Sequence, residues 1–136
     1  MKRRITISFG LIILMAAMFS FGIVMEKERH RNTVDDMCRS SISRAYEAFL
    51  NFEESGAEGS YWFGVGAFYT FKELYLESGF YDATTITAVS SAYAKLLYHK
   101  SLNEKELALL LTALKALTED CTSIVGYDNL QKFVDA

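Results

Sequence analysis

The chain contains two cysteines, and their placement suits the formation of a bond between them. Cys38 and Cys121 are too few for a disulfide scaffold, and they lack the spacing of a metal site. If both lie on the apolar faces of antiparallel helices, the helical rise places their sulfurs at similar heights. Two alternatives follow. One is a Cys38–Cys121 disulfide, which in an oxidising compartment contributes about 4 kcal/mol in the chain-entropy model, and the other is a pair of buried reduced thiols.

A metal centre needs more ligands than the two histidines, His30 and His99, provide. A ferritin-type di-metal centre uses inward-facing Glu-x-x-His pairs. The positions three residues before the histidines hold Lys27 and Leu96 instead. We expect both imidazoles to be solvated, and the sequence predicts no metal site and no cofactor.

Three pairs of adjacent acidic residues are the remaining candidates for acid–base chemistry: Asp35-Asp36, Glu53-Glu54 and Glu119-Asp120. Adjacent residues of a helix diverge by about 100°, so the carboxylates of one pair do not converge on one substrate atom. The Gly64-Val65-Gly66 stretch lacks the third glycine and the lysine of a phosphate-binding loop. The sequence therefore predicts no catalytic residue, and we expect a protein that is not an enzyme.

The charges of the chain are divided unevenly along its length. Residues 1–31 carry six basic and two acidic side chains, whereas the rest of the chain carries eight basic and fifteen acidic ones. Affinity for nucleic acid depends largely on basic side chains that neutralise phosphates. An acidic body without a basic stripe therefore argues against a nucleic-acid partner.

The N-terminal segment contains a long uncharged run. It extends from Ile5 to Met25, and about 20 such residues are enough to cross a membrane as a helix. This pattern predicts a cytoplasmic tail at residues 1–4, a transmembrane signal anchor in the lipid bilayer at 5–25, and a domain outside the cytoplasm at 26–136. The alternative is a signal peptide cleaved near Ser20-Phe21-Gly22, which would remove residues 1–22 and release a secreted form.

Helical periodicity governs the rest of the chain, which contains no proline. A first helix, which no helix breaker separates from the membrane segment, is predicted to end in a turn at 55–59. A second is predicted to run from Ser60 to Gly79. Asp82 is predicted to cap a third, Asn103 with Glu106 a fourth, and Asp128 with Gln131 a short last helix. Short connections favour antiparallel neighbours. The predicted fold is all-α: an N-terminal transmembrane helix, then an up-down four-helix bundle with a short C-terminal helix.

The second helix opens with "SYWFGVGAFYTF", six aromatic residues in twelve positions. We expect Phe63, Phe68 and Phe71 in the core. Three alternatives remain for the other rings: more core, a recognition face made by Tyr61, Trp62 and Tyr69, or a ligand pocket or lipid-headgroup contact. The functional prediction is a single-pass membrane protein whose domain outside the cytoplasm binds a protein partner or supports a membrane-bound assembly. The alternative is a sensor or carrier that binds a small apolar ligand within the bundle.

Overall fold

The structure of the chain is a computed structural model that describes residues 2–98 and 102–136, with side chains from Leu14 onward. Within these ranges it consists of five α-helices and contains no strand. They are α1 (Lys2–Ser55), α2 (Glu58–Tyr75), α3 (Ile86–Tyr98), α4 (Glu104–Glu119) and α5 (Ile124–Asp135). The predictions of an all-α fold and of a helix bundle are confirmed. The up-down order of the helices stays a prediction.

The chain divides into two units, Met1–Thr33 and Val34–Ala136. In the first unit, the described apolar side chains between Leu14 and Met25 are exposed. The second unit contains the hydrophobic core, to which all five helices contribute. Its largest fully buried side chains include Phe49, Phe68, Leu110, Leu114 and Phe133.

The predicted single-pass membrane location is wrong for the part of the chain that the structure describes. Within that part, we find no helix that has both the length and the apolar character to cross a membrane. The single-pass topology with a domain outside the cytoplasm is therefore not supported, and the bounds 1–4, 5–25 and 26–136 stay a prediction. The side chains of residues 5–13 lie outside the described part of the chain.

The helix boundaries follow capping chemistry that the sequence predicted in part. At α4 the predicted capping box is confirmed: the Asn103 side chain accepts from the Glu106 amide, and the Glu106 carboxylate accepts from the Asn103 amide. The prediction at α5 is wrong, because Ser123 Oγ accepts from the Gly126 amide and starts the helix before Asp128. The turn predicted after α1 is confirmed by Gly56, whose φ of 65° suits glycine.

Two further boundaries differ from the prediction. Helix α2 begins at Glu58 and ends at Tyr75, four residues before Gly79. There Ser78 Oγ donates to the Tyr75 carbonyl at 2.8 Å, and this bond closes the end of the helix. Helix α3 begins at Ile86, because Asp82 Oδ1 first accepts from the amide and hydroxyl of Thr84 and forms a turn.

Helix α5 is an integral part of the bundle, since it packs against both α3 and α4. Lys95 of α3 connects the three helices. Its ammonium is 2.9 Å from Oε1 of Glu106 on α4, donates to the Phe133 carbonyl of α5 at 2.8 Å, and lies 4.9 Å from the centre of the Phe133 ring. Both members of the ion pair are nearly buried, with side chains 10% and 11% exposed. Lys95 thus has an ion-pair partner on α4 and a hydrogen-bond acceptor on α5.

Gly64 allows α1 and α2 to approach closely. A Cβ atom at this position would lie 2.9 Å from Cε2 of the buried Phe49 ring, whereas one at Gly66, two residues later, meets nothing within 4 Å. Overpacking a core costs about 1–3 kcal/mol, and replacing glycine by alanine inside a helix gains about 1 kcal/mol. We expect Gly64→Ala to lower the free energy of unfolding by about 1 kcal/mol and Gly66→Ala to raise it by up to about 1 kcal/mol. Urea unfolding of the two variants at low protein concentration measures this, and equal stabilities would contradict it.

Candidate interaction site

The outward face of α2 carries aromatic side chains that the core does not use. Trp62 is 38% exposed, Phe63 62% and Tyr69 45%. Gly66 lies between them on the same face, because a helix turns by about 100° per residue. Trp62 and Tyr69 are thus exposed, as the recognition-face alternative requires. Phe68 and Phe71 are fully buried, as predicted.

Tyr61 belonged to the recognition face in one of the three alternatives, but its side chain is only 2% exposed and lies in the core, as in the first alternative. Its hydroxyl donates to the Leu96 carbonyl at 2.6 Å, and its ring makes edge contacts with Phe49 and Phe52. Burial, followed by the negative charge of Glu106, raises the pKa of Tyr61 above its ordinary value. Tyr61 therefore ties α2 to α3 instead of facing a partner.

Phe63 was expected in the core, and this expectation is wrong. The buried positions of α2 recur at helical spacing: Tyr61, Gly64, Val65, Phe68, Phe71 and Tyr75. Phe63 points about 130° away from the centre of this stripe by the helical angle. A buried stripe that includes Tyr61 places Phe63 on the opposite face of the helix. The sequence signal for the exposure of Phe63 is therefore the helical spacing counted from Tyr61.

Two neighbouring hollows lie between α1 and α2, and together we call them the α1–α2 groove. The first has a volume of about 380 Å³ and is lined by Arg44, Glu47, Ala48, Asn51, Gly59, Ser60 and Phe63. The second has a volume of about 310 Å³ and is lined by Ser41, Arg44, Trp62, Phe63, Gly66, Ala67 and Thr70. Phe63 and Arg44 belong to both hollows. The space above Gly59 and Gly66 is open, since a Cβ there meets nothing within 4 Å.

The groove thus combines exposed rings, small residues and two opposite charges. Comparison with models of known protein families, with curated proteins and with solved structures found no match. The interpretation of the groove therefore depends on its own residues. A surface of this composition has the aromatic and arginine side chains that dominate the binding energy of protein interfaces.

Tyr69 forms the other edge of this face and is held by its neighbours. Its ring lies 5.3 Å from that of Tyr93 on α3, and the Lys72 ammonium lies 5.4 Å and 5.5 Å from the centres of the two rings. Such cation–π contacts contribute about 0.5–1 kcal/mol at exposed sites. Tyr69 is therefore partly engaged within the chain. Trp62 is too, since its Nε1 donates to Glu58 Oε1 at 3.3 Å, and Phe63 is the most exposed of the three rings.

The two cysteines lie in the core of the second unit, where both thiols are free and buried. Burial, and then the nearby Cys121, raises the pKa of the Cys38 thiol to about 12. Tyr127 donates its hydroxyl to the Cys121 carbonyl at 2.8 Å, and burial raises the pKa of this tyrosine as well. The structure contains the reduced alternative, and the Cys38–Cys121 disulfide stays a prediction.

Stability is expected to fall at alkaline pH because Cys38 keeps its proton in the fold. The unfolded thiol loses its proton above its ordinary pKa of 9.0, whereas the folded one holds it to about 12. The stabilisation is complete below pH 9 and is lost as the pH rises, by about 1.4 kcal/mol per pH unit. Urea unfolding of the reduced protein between pH 8.5 and 10.5 measures this slope. Cys38→Ala should make it shallower, and an unchanged slope would rule out Cys38 as its source.

The other candidate residues of the sequence do not come together. In the part of the chain that the structure describes, no group of three or more potential ligands is placed to hold a metal ion. His30 is exposed, and His99 lies outside the described residues. Asp35 and Asp120 have structural roles, since their carboxylates accept from the backbone amides of Gly79 and Thr122.

Proposed function

We propose that the second unit is a non-enzymatic protein-interaction module that binds another polypeptide through the α1–α2 groove. The observation that carries this proposal is the exposure of Phe63, at 62%, beside Trp62 and two open hollows. A single exposed apolar residue is ordinary at a protein surface. Two adjacent aromatic residues that border concave surface are the arrangement of a binding anchor.

The composition of the groove suits a polypeptide partner. Its rings offer apolar area with little side-chain entropy to lose, and Arg44 offers a planar set of hydrogen-bond donors. Ser60, Thr70 and Asn51 add polar groups at the border. An apolar centre with a polar rim is the usual anatomy of a protein interface.

The alternative, a small apolar ligand within the bundle, has less support. The two hollows that form the groove open to solvent at the surface of the second unit. The buried hydroxyl of Tyr61, which is suited to orient a ligand, already donates to the Leu96 carbonyl. Small-ligand sites enclose most of the ligand surface, and the groove is shaped instead to receive a protruding side chain.

Site-specific photocrosslinking in cells tests the proposal with the full chain. A photoreactive benzoylphenylalanine replaces Phe63 in one variant and Ile124 in a control, because Ile124 is 76% exposed but lies outside the groove. We expect a discrete protein adduct from position 63 and none from position 124. The proposal is overturned if position 63 gives no protein adduct, or if both positions give the same set of adducts.

A further inference from the structure

The α1–α2 groove contains two opposite charges on neighbouring turns of α1. Arg44 and Glu47 are both exposed and three residues apart, so they lie on one face of the helix. Neither has an ion-pair partner within 4.0 Å among the residues that the structure describes. The groove therefore presents a cation and an anion side by side, and neither forms an ion pair with another described residue.

We propose that the occupant of the groove is a second copy of this chain, in a two-fold symmetric dimer. This inference rests on the proposed function and names the partner. In a two-fold interface the same surface serves both copies, so the surface must be complementary to itself. The groove meets this condition in shape and in charge.

The complementarity of shape comes from Phe63. Its ring stands between two hollows of about 380 and 310 Å³. A benzene ring is held by an apolar cavity of about 150 Å³, so either hollow has room for a phenyl side chain. Each copy thus offers one protruding ring and the space to receive one, and a two-fold axis beside Phe63 exchanges the two rings.

The complementarity of charge comes from Arg44 and Glu47. A two-fold axis perpendicular to α1 that passes between the two residues makes the facing helix antiparallel, so Arg44 of one copy faces Glu47 of the other, and the contact occurs twice. A partner of a different kind needs an unrelated surface with the same alternation of charge. A second copy has this alternation by symmetry.

The expected affinity is modest because the groove is short. The lining residues span 41–51 on α1 and 59–70 on α2, which is about 15 and 17 Å of helix. With helices about 10 Å across, the two segments together cover roughly 300 Å², which is less than the roughly 800 Å² per partner of a standard interface. We therefore expect dissociation constants in the micromolar range and a mixture of monomer and dimer at such concentrations.

Sedimentation of the purified full chain tests the dimer. Concentrations between about 1 and 200 μM cover the micromolar dissociation constant that we expect. The mass should rise from 15.4 kDa towards twice that value with concentration. Phe63→Asp should weaken the dimer at least tenfold, and the matched control Ile124→Asp should not. A chain that stays monomeric throughout, or equal effects of the two substitutions, would overturn the proposal.

A charge exchange tests the two-fold contact directly. Arg44→Glu and Glu47→Arg, made singly, place like charges together across the axis and should each weaken the dimer several-fold. The double variant Arg44→Glu/Glu47→Arg restores two pairs of opposite charges, so its dissociation constant should return to within about threefold of the original. A double variant at least as weak as the weaker single variant would contradict the two-fold arrangement. Circular dichroism checks that each variant stays helical.

The mass of the adduct formed by photocrosslinking at position 63 separates this inference from the proposed function. An adduct of twice the chain mass, with peptides of this chain alone, supports the second copy. An adduct that contains a different protein overturns the second copy but leaves the interaction module standing. The lack of any protein adduct overturns both.

Discussion

Replacing Lys95 by methionine will lower the free energy of unfolding by about 3 kcal/mol, because it leaves the Glu106 carboxylate nearly buried without its cation. The Lys95 ammonium is 2.9 Å from Glu106 Oε1, and the two side chains are only 10% and 11% exposed. The substitution also removes the donor to the Phe133 carbonyl. Urea unfolding followed by circular dichroism measures the loss.

Removing the anion of the pair instead, by Glu106→Gln, should lower the free energy of unfolding by less, about 2 kcal/mol. Lys95 then keeps the Phe133 carbonyl and ring as partners, and the glutamine oxygen still accepts from the Asn103 amide. The double variant should be more stable than the sum of the two single losses predicts, because the ion pair is lost only once.

Glu73→Gln is the matched control for this pair of substitutions. Glu73 pairs with Lys72 at the surface, where its side chain is 49% exposed. Exposed ion pairs contribute about 0–1 kcal/mol, so this variant should unfold almost like the original. A cost at Glu73 equal to that at Lys95, or a larger cost for Glu106→Gln than for Lys95→Met, would contradict the role assigned to Lys95.

Phe49→Ala is expected to lower the free energy of unfolding by about 4 kcal/mol, since it removes a fully buried ring and leaves a cavity. The ring of Phe49 lies against Gly64 and makes an edge contact with Tyr61, with 5.8 Å between ring centres. It therefore joins α1 to α2. The midpoint of thermal or urea unfolding measures the loss.

Phe63→Ala provides the comparison, because it deletes the same side chain from the outward face of α2. With 62% of its surface exposed, Phe63 should contribute less than about 0.5 kcal/mol to the stability of the monomer. The comparison is made at low protein concentration, where association does not add to the apparent stability. A cost at Phe63 close to that at Phe49 would mean that Phe63 is packed in the core after all.

Local sequence signals predicted the all-α fold and several of its boundaries. The Asn103–Glu106 capping box and the turn near Gly56 depend on side chains a few residues apart, and both occur in the structure. The start of α5 was misplaced because Ser123 and Asp128 are both acceptable caps. The helix that begins after Ser123 buries both Tyr127 and Leu130, and this tertiary packing decides which of the two caps is used.

Contacts distant in sequence account for what the sequence did not predict. Lys95 looks like a surface residue until Glu106 and Phe133 are brought beside it. On α2, helical periodicity correctly buried Phe68 and Phe71, but it left open whether Tyr61 lies in the core or on a recognition face. Its partner, the Leu96 carbonyl, is 35 residues away and is not visible in any local pattern.

The sequence indicated aromatic residues as candidates for an interaction site, but it did not predict the α1–α2 groove. One of the three alternatives placed Trp62 and Tyr69 on an exposed recognition face, and both side chains are exposed. The groove itself depends on how α1 lies beside α2, which brings Arg44 and Glu47 next to Phe63. No spacing within α2 could indicate residues supplied by another helix.

The ammonium of Lys95 also has a consequence for the native-state dynamics of α5. Terminal helices commonly fray, and their amide protons then exchange with solvent faster than those of the core. The Phe133 carbonyl accepts a hydrogen bond from Lys95, which is paired with Glu106, so α5 cannot detach without uncovering charge at the last turn of α3 and the first turn of α4. We therefore expect the amide protons of α5 to exchange in the same cooperative opening as those of α3 and α4.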